Sequence, residues 1–243
     1  MAIVCDDGRV HPFRNLVLGV VTAVLLGLAA PATATAADPS PTERAQRRLN
    51  ALHCDAGPAD GQAGQHTRSA VVRFQSRVGL RQTGSFDQRT RKRLYAEEAP
   101  RCDVRPVPGR SGSGRRIVIS QAQNWVWLVG PKGSVIAQGG MVDNTGELRR
   151  GAHATGSYCG RAGRIKLNQS TSGSVWLDNF VRFAPCGIGF HRIPRYKTTG
   201  DQIHADWILG TDMAESHGCI RLSRGLSATL WDFTARRTPV HVV

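Results

Sequence analysis

The 243-residue sequence predicts an α+β chain, with a small three-helix N-terminal module followed by a mainly β domain. Three observations support this: apolar residues at helical spacing up to about residue 100, a stretch rich in Pro, Gly, Ser and Arg after it, and short β-branched and aromatic runs beyond residue 115. The length and the 40% of hydrophobic residues exclude an intrinsically disordered chain. The predicted boundaries are 1–36 for a signal peptide, 38–100 for the helical module, 101–115 for a linker and 116–243 for the β domain.

The first 36 residues have the pattern of an export signal. Arg9, His11 and Arg14 precede a largely apolar run, Leu16–Ala30, whose 15 residues are too few to span a bilayer comfortably. Small residues follow, and Ala34-Thr35-Ala36 suits a signal peptidase. An uncleaved membrane anchor is the alternative. No other apolar stretch approaches membrane length, so we expect no transmembrane segment after cleavage and a protein secreted to the cell wall or a periplasm-like envelope space.

The charge balance indicates an anionic environment or partner. Lys and Arg number 32 against 18 Asp and Glu, which gives a formal net charge of +14. Such a charge concentrates polyanions around the protein. The basic residues are scattered instead of forming a block, which argues against nucleic acid as the partner and favours an acidic cell envelope.

Three helices are predicted between residues 38 and 100. The first starts at Ser40, an N-cap residue that is followed by Pro41 at the first helical position and by Glu43, which can reach back to the cap. The second helix is predicted over Thr67–Val78, and the third runs from about Asp87 to Ala96. The inward-facing residues of the first two helices are Ala45, Leu49, Leu52, Val71, Phe74 and Val78.

The turns before the second and third helices repeat. Asp60-Gly61 precedes Thr67-Arg68 by the same interval as Thr83-Gly84 precedes Thr90-Arg91, and the two units are 23 residues apart. The region resembles the small three-helix peptidoglycan-binding domain of bacterial wall enzymes. The segments that carry the resemblance are Arg48–Leu52, Asp60-Gly61, Thr67–Val71, Phe74-Gln75, Gly79-Leu80, Thr83-Gly84 and Thr90–Leu94. The resemblance implies a module that holds the protein on peptidoglycan, its expected partner.

The region beyond residue 115 is mainly β in pattern. Ile117–Ile119 and Trp125–Val129 are β-branched and aromatic, and a Gly-Pro-Lys-Gly turn leads into Ser134–Met141. Trp125 and Trp127 fall on one face of their strand, where packing is favoured over stacking on a sugar. Further strands are predicted at Tyr158, Val175–Val181 and Pro239–Val243, and one short helix over about Ser223–Phe233.

Export places the cysteines in an oxidising compartment, where disulfides persist. Signal cleavage removes Cys5 and leaves an odd number of cysteines, so at least one thiol stays unpaired in a monomer. Cys54 and Cys102 bracket the helical module, and Cys159 and Cys186 lie together in a later segment. Pairing within each segment leaves Cys219 free. Parity alone equally allows Cys219 to pair and another cysteine to stay free.

The most informative stretch is Ser216–Arg221, with the sequence Ser-His-Gly-Cys-Ile-Arg. A nucleophilic cysteine needs a base or a positive charge to form its thiolate, and Gly218 lets backbone N–H groups approach a developing oxyanion. His191, in a Gly-Phe-His context, is the predicted partner of Cys219, and His204 is the alternative base. The Cys and His side chains could also bind zinc, but they lack the paired spacing typical of such sites. No metal is predicted.

These residues resemble the signature of the L,D-transpeptidase catalytic domain, a β-rich fold that crosslinks peptidoglycan stem peptides, over about Arg116–Val243. The resemblance implies that Cys219 is the nucleophile and that His191 is its general base, oriented by the backbone carbonyl of Arg192. It implies no metal or organic cofactor. The oxyanion and substrate-binding positions that it implies are Ser216, His217, Gly218 and Arg221.

The functional prediction is an exported enzyme that transfers acyl groups between stem peptides through a cysteine thioester during cell wall biogenesis. One alternative is an L,D-carboxypeptidase, in which water accepts the acyl group. Another is a wall-binding protein without catalysis. We also expect that a thiolate held by His191 is alkylated near pH 6 faster than an ordinary thiol, which is almost wholly protonated there.

Overall fold

The computed structural model describes residues 38–184, 187–214 and 216–243. The predicted signal peptide and Cys186 lie outside the described residues. Pro39–Val243 forms one compact unit, in which the helical module contacts the β domain. Within the described part of the chain, no helix is long and apolar enough to cross a membrane.

The three predicted helices of the N-terminal module are present. Ser40 caps the first helix as predicted, because its hydroxyl accepts the Glu43 N–H at 3.1 Å. The predicted reach of the Glu43 side chain back to the cap is wrong: its carboxylate accepts from Arg47, one turn later, and forms an ion pair with it. The helices are α1 (Pro41–Ala51), α2 (Gln65–Arg77) and α3 (Gln88–Leu94).

A disulfide and two buried glutamines organise the module. The predicted Cys54–Cys102 disulfide is present, with Cα atoms 5.0 Å apart. Gln46 in α1 forms hydrogen bonds with the first turn and the helix after it, at Asp60, Gly61, Gln62 and Thr67. Gln75 in α2 does the same in the second unit, at Thr83, Gly84, Ser85 and Thr90. The sequence repeat is therefore one hydrogen-bonding arrangement used twice.

The β domain contains two five-stranded sheets. One sheet has the order β3-β2-β1-β10-β4, and the other has the order β5-β6-β7-β9 with β8 paired to β6. The strands are β1 (Arg116–Ser120), β2 (Trp125–Val129), β3 (Val135–Gly140), β4 (Gly151–Ala154), β5 (Arg164–Gln169), β6 (Val175–Arg182), β7 (Gly189–Arg192), β8 (Arg195–Tyr196), β9 (Ile220–Leu222) and β10 (Pro239–Val242). The predicted C-terminal helix is α4 (Arg224–Phe233).

Most of the predicted strands are confirmed, as β1, β2, β3, β6 and β10. The predicted strand at Tyr158 is wrong, because this residue makes only an isolated bridge with Arg161. Trp125 and Trp127 are 4% and 0% exposed and lie in one apolar cluster with Val118, which confirms their packing role.

The apolar core of the β domain lies between the two sheets and α4. Phe183 and Phe190 stack there with ring centroids 4.4 Å apart. Ile220 and Leu222 of β9 are fully buried in the same cluster, together with Leu230 of α4. The two short strands β7 and β9 are therefore fixed by packing on their core side, which leaves their opposite side for other groups.

The segment predicted as a linker packs closely against both parts of the molecule. Arg105 is 1% exposed, and its backbone carbonyl accepts the indole N–H of Trp127 at 2.9 Å. The Arg105 guanidinium lies 4.1 Å from the ring centroid of Trp125 and donates to the Ser76 hydroxyl of α2. The composition of this segment indicated a chain without secondary structure, and it did not indicate these contacts. The domain boundaries themselves stay predictions.

Candidate active site

Strands β7 and β9 bring the predicted catalytic residues to one side of a sheet. They are parallel, with Phe190 opposite Ile220 and His191 opposite Arg221. Side chains alternate along a strand, so the buried Phe190 and Ile220 face the core while His191 and Arg221 face the other side. Cys219 directly precedes β9 and lies two residues before Arg221, so the same alternation places it with His191.

The His191 ring is held in one orientation. Only 3% of the residue is exposed, and the ring stacks on Phe180 with centroids 6.3 Å apart. Its Nδ1 lies 2.5 Å from the backbone carbonyl of Arg192, as the sequence predicted. A carbonyl can only accept, so Nδ1 carries the proton and Nε2 keeps its lone pair. Burial lowers the pKa of His191 to about 4, so the ring is a neutral base at pH 7.

Cys219 is the free cysteine among the described residues, and it is partly buried. Its thiol donates to the Gly187 carbonyl at 3.6 Å, and its sulfur accepts the backbone N–H of Gly189. Burial raises the pKa of this thiol, while the Gly189 N–H and the charges of Arg182 and Arg221 act in the opposite direction. The expected resting thiolate is therefore wrong, because desolvation leaves both Cys219 and His191 uncharged near neutral pH.

The segment before Cys219 is fixed by the chain that follows β3. The Ser216 N–H donates to the Asp143 carbonyl at 3.1 Å, and the Asn144 side chain donates to the Ser216 carbonyl at 3.0 Å. Gly218 has a φ of +113°, and a Cβ there would lie 3.2 Å from the Glu147 Cβ, so both the backbone angle and the space favour glycine. The Ser216 hydroxyl accepts the Gly218 N–H at 3.0 Å.

Two buried arginines place positive charge beside Cys219. Arg221 is 7% exposed and donates to the Ala214 carbonyl at 3.0 Å. Arg182 is 3% exposed, and one weak hydrogen bond joins its Nε to the Ala162 carbonyl at 3.3 Å. Its Nη1 is buried without a hydrogen-bond partner among the described residues. The charges of both arginines act to lower the pKa of the Cys219 thiol.

Arg182 was not predicted from the sequence. It is opposite Gly189 in the β6–β7 pair, and its guanidinium lies 5.0 Å from the ring centroid of Phe180, the residue on which His191 stacks. The available signal was a basic residue directly after the predicted strand Val175–Val181. A charge that continues a buried strand needs an anionic or polar partner, and such a residue merits attention as part of a site.

The other predicted positions are distributed around this pair. His217 is exposed, beside the buried Ser216. His204 is half-buried, and burial together with the charge of Arg221 lowers its pKa. Its ring makes no hydrogen bond within the described residues, whereas the His191 ring does. The choice of His191 over His204 stays a prediction that this hydrogen bond supports.

Two further predictions concern the pairing of Cys159 with Cys186 and the binding of a metal ion. Cys159 is disulfide-bonded, and its predicted partner Cys186 lies outside the described residues. Residues 38–184, 187–214 and 216–243 contain no group of three or more Cys, His, Asp or Glu side chains that could hold a metal ion.

Comparison with known proteins places this site in a family. Residues 114–242 match the family model described as the L,D-transpeptidase catalytic domain, and residues 39–94 match the one described as a peptidoglycan binding domain. The first match covers more than half of the chain. The search of curated proteins returned no match.

Several solved structures are similar to the chain. An L,D-transpeptidase from Xylanimonas cellulosilytica is 23% identical over 83% of this chain and 92% of that one, with a TM-score of 0.47. One from Stackebrandtia nassauensis is 20% identical over 83% and 90%, with a TM-score of 0.42. An LD transpeptidase in complex with imipenem is 18% identical over 54% and 60%, with a TM-score of 0.39. The assignment of the chain to a family depends on the family models and not on these structures. The chain belongs to the L,D-transpeptidase family and carries a peptidoglycan binding domain in front of the catalytic domain.

Proposed function

We propose that the protein crosslinks peptidoglycan stem peptides, with Cys219 as the nucleophile and His191 as the general base. The observation that carries the proposal is the meeting of these two residues at the paired strands β7 and β9, with the His191 ring fixed by the Arg192 carbonyl. This arrangement leaves Nε2 of His191 as a free acceptor on the side of the sheet that carries the thiol. A neutral imidazole so oriented suits general-base catalysis.

The first half-reaction forms a thioester on the enzyme. Nε2 of His191 takes the proton of the Cys219 thiol, and the sulfur attacks the carbonyl between the third residue of a stem tetrapeptide and its terminal D-Ala. The C–N bond breaks, the proton passes from His191 to the departing amine, and D-Ala leaves. The energy of the broken peptide bond is kept in the thioester, so the reaction needs no ATP.

The second half-reaction releases the enzyme. An amine on a neighbouring stem peptide gives a proton to His191 and attacks the thioester carbonyl. The bond between carbon and sulfur breaks, and the sulfur takes the proton back from His191. A new peptide bond then joins the two stems. Water in place of the amine would give a shortened stem peptide and therefore an L,D-carboxypeptidase.

The charges around Cys219 support a mechanism in which the thiolate forms only when substrate is bound. The resting pair is neutral, because burial raises the pKa of the Cys219 thiol and lowers the pKa of His191. The buried Nη1 of Arg182 has no hydrogen-bond partner within the described residues of the resting protein. This nitrogen gains an electrostatic partner when negative charge develops on the Cys219 sulfur. Such a group lowers the barrier because it favours the transition state over the ground state.

The oxyanion of the tetrahedral intermediate requires N–H donors near Cys219. The Gly218 N–H is engaged by the Ser216 hydroxyl in the resting structure. We therefore assign the donor role first to the backbone N–H of Cys219, with the Gly218 N–H joining when the Ser216 hydroxyl turns away. Arg221 supports the same charge from β9, since its guanidinium acts electrostatically on Cys219.

The helical module and the N-terminal segment fit an enzyme that works outside the cell. The match of residues 39–94 to a peptidoglycan binding domain supports attachment to the polymer that the catalytic domain modifies. The Cys54–Cys102 disulfide is typical of an oxidising compartment. We propose that residues 1–36 direct export and that the mature protein is secreted to the cell wall.

The proposal is tested with a purified disaccharide tetrapeptide and mass spectrometry of the products. We expect a crosslinked dimer and free D-Ala from the wild-type protein, and neither product from Cys219→Ala. A tripeptide without a dimer would identify a carboxypeptidase. Intact tetrapeptide with both the wild type and Cys219→Ala would contradict catalysis. If the wild type still binds insoluble peptidoglycan in that case, the result would support a wall-binding protein without catalysis. Imipenem serves as a second acylating probe, whose adduct should map to Cys219.

A further inference from the structure

The helical module and the segment that precedes the nucleophile are joined through one buried arginine. Arg73 lies in α2 and is 6% exposed. Its guanidinium donates to two carbonyls of its own module, Cys54 at 2.8 Å and Asp55 at 2.7 Å. It also donates to two carbonyls of the catalytic domain, Trp207 at 2.5 Å and Leu209 at 3.1 Å. A single charged side chain thus satisfies backbone acceptors on both sides of the contact.

The second side of this contact is the site loop, which we define as residues Ile203–Thr211. It lies between His191 and Ser216, the two ends of the catalytic region. The loop is well packed, since Ile208 and Leu209 are 3% and 7% exposed and belong to one apolar cluster with Val142 and Ile193. The cluster connects the loop to Ile193, which directly follows β7, and to Val142, which makes a bridge with Arg221 of β9.

Two glycines allow the close approach of Arg73 to the site loop. Gly210 has a φ of +80°, and a Cβ on it would lie 3.1 Å from the Cγ and Cδ atoms of Arg73. A Cβ on Gly140 would lie 2.6 Å from the Gly210 nitrogen, which leaves no room for a side chain. His66, also in α2, stacks on the indole of Trp207 with ring centroids 5.9 Å apart. Side chains of α2 and residues of the site loop therefore both contribute to this close contact.

A continuous set of backbone hydrogen bonds leads from the site loop to Cys219. The Gly210 N–H donates to the Met141 carbonyl at 3.0 Å. Val142 exchanges two hydrogen bonds with Arg221, two residues after Cys219, at 2.9 and 3.2 Å. The next carbonyl, that of Asp143, accepts from Ser216 on the other side of the nucleophile. The segment Met141–Asp143 therefore touches the site loop at one end and both flanks of Cys219 at the other.

We infer that Arg73 is a positioning residue for the catalytic site, so that the wall-binding module is a structural part of the catalytic unit. Arg73 holds the site loop, and the loop holds Met141–Asp143, which fixes the backbone on both sides of Cys219. The inference rests on the proposed role of Cys219 as nucleophile. It goes beyond that role because it assigns to the module a second task besides attachment to the wall.

The test compares three variants of the full chain by the rate at which imipenem acylates Cys219. Arg73→Met keeps much of the side-chain volume and removes all donors, and we expect acylation to slow about tenfold or more, because small displacements of catalytic groups are costly. Arg73→Lys keeps the charge and should recover part of the rate. Arg77→Met is the matched control, since Arg77 lies one turn later in α2 and donates to Arg101 within the module. It should stay within twofold of the wild type.

A second measurement separates positioning from general loss of structure. Hydrogen exchange at the Gly210 amide should become faster in Arg73→Met and stay unchanged in Arg77→Met, while core amides of β1 and β2 keep their protection. If Arg73→Met does not fold, His66→Ala provides the alternative, because it removes the stacking on Trp207 and a hydrogen bond to the Asp55 carboxylate while leaving every donor of Arg73 in place. We then expect a smaller loss of acylation rate, about threefold, with faster exchange at the same amide.

The possible outcomes have distinct meanings. Wild-type protein that imipenem does not acylate at Cys219 would contradict the proposed function. A wild type that is acylated, with a folded Arg73→Met acylated within twofold of its rate, would overturn this inference and leave the proposed function intact. Slower acylation in Arg73→Met with unchanged exchange at Gly210 would also overturn it, because the effect would not pass through the site loop.

Discussion

Among the buried arginines, Arg73 and Arg182 are exposed to a similar extent, 6% and 3%, but their surroundings differ. Arg73, at the contact between the helical module and the site loop, donates to four backbone carbonyls. Arg182, beside Cys219, makes one hydrogen bond with its side chain and keeps a buried Nη1 without a partner among the described residues. An unpaired buried donor costs free energy. Each guanidinium nitrogen of Arg73 has an acceptor in the resting protein, whereas Arg182 keeps one nitrogen without an acceptor in the described part of the chain.

We interpret the charge of Arg73 as structural and the charge of Arg182 as functional. The surroundings of Arg73 supply four backbone carbonyls and, 3.7 Å away, the Asp55 carboxylate, which are present whatever the state of the site. The surroundings of Arg182 include the Cys219 thiol, which is neutral at rest and, in the mechanism that we propose, becomes negative during catalysis. We therefore expect substitutions around Arg73 to act on structure, and substitutions around Arg182, Cys219 and His191 to act on the chemistry.

The largest effect is expected at the base. His191→Ala should slow acylation of Cys219 by about two to four orders of magnitude, the range typical of a lost general base. His204→Ala is the control and should cost less than about threefold, because its ring makes no hydrogen bond within the described residues. Stopped-flow or mass-spectrometric acylation rates with imipenem measure both. The reverse ranking would assign the base to His204.

The next effect tests the structural side of the comparison. Replacing both Cys54 and Cys102 by Ala should lower the free energy of unfolding by about 4 kcal/mol, the chain-entropy value for a sequence separation of 48. Because Arg73 donates to the Cys54 carbonyl, the same variant should loosen the site loop. Denaturant unfolding measures the first effect, and hydrogen exchange at Gly210 measures the second. A loss below about 1 kcal/mol would contradict this value, because it would show that removing the disulfide adds little conformational entropy to the unfolded chain.

The pH dependence of the site follows from the burial of His191. Its pKa is lowered from 6.5 to about 4, so the neutral base persists down to that pH. We expect the acid limb of the acylation rate near pH 4, which leaves the rate at pH 5 about 30-fold above that of an enzyme with an ordinary histidine. A rate of imipenem acylation that falls with a midpoint near 6.5 would contradict a buried neutral base.

The same shift has a consequence for stability with a definite sign. The unfolded chain binds a proton at His191 below pH 6.5, whereas the folded protein binds it only below about pH 4. Stability should therefore fall as the pH drops from 6.5 to 4, by about 3 kcal/mol from this residue. The loss should be absent from His191→Ala, as measured by denaturant unfolding at pH 6.5, 5 and 4.

The smallest effect tests the functional side of the comparison. Arg182→Gln should slow alkylation of Cys219 by iodoacetamide at pH 8 about tenfold, because the guanidinium charge favours the thiolate. The midpoint of thermal unfolding should stay unchanged or rise, since an unpaired buried charge is removed. Arg164→Gln is the matched control: the Nε of Arg164 is also buried without a hydrogen-bond partner in the described part of the chain, but its guanidinium lies over Trp231. Equal loss of alkylation in both variants would contradict a specific role for Arg182.

Local patterns in the sequence predicted the module well. The Ser40 cap and the repeated turns depend on residues close together in the chain, so their signals are complete in a short window. The function of Gln46 was not predicted, because a glutamine on a helix is ordinarily exposed. Only the folded chain places it against the turn around Gly61.

The roles predicted for the site residues stay predictions, and their electrostatics were not predicted. The Ser-His-Gly-Cys stretch and the Gly-Phe-His context pointed to Cys219 and His191, which the structure places at the neighbouring strands β7 and β9, and the carbonyl of Arg192 lies where it was expected. Burial reversed the expected charge of the pair, since desolvation depends on neighbours from distant strands. Arg73 and Arg182 were not identified for the same reason: no short window of sequence shows what surrounds them.

The central claim, that Cys219 carries the acyl group, is tested most directly by trapping the intermediate. The full chain is incubated with the disaccharide tetrapeptide, quenched in acid after a few seconds and examined by peptide mapping. The account predicts a disaccharide tripeptide bound as a thioester to the peptide that contains Cys219, with an equal amount of D-Ala released. Release of D-Ala by Cys219→Ala, or an acyl group on any other residue of the wild type, would contradict it.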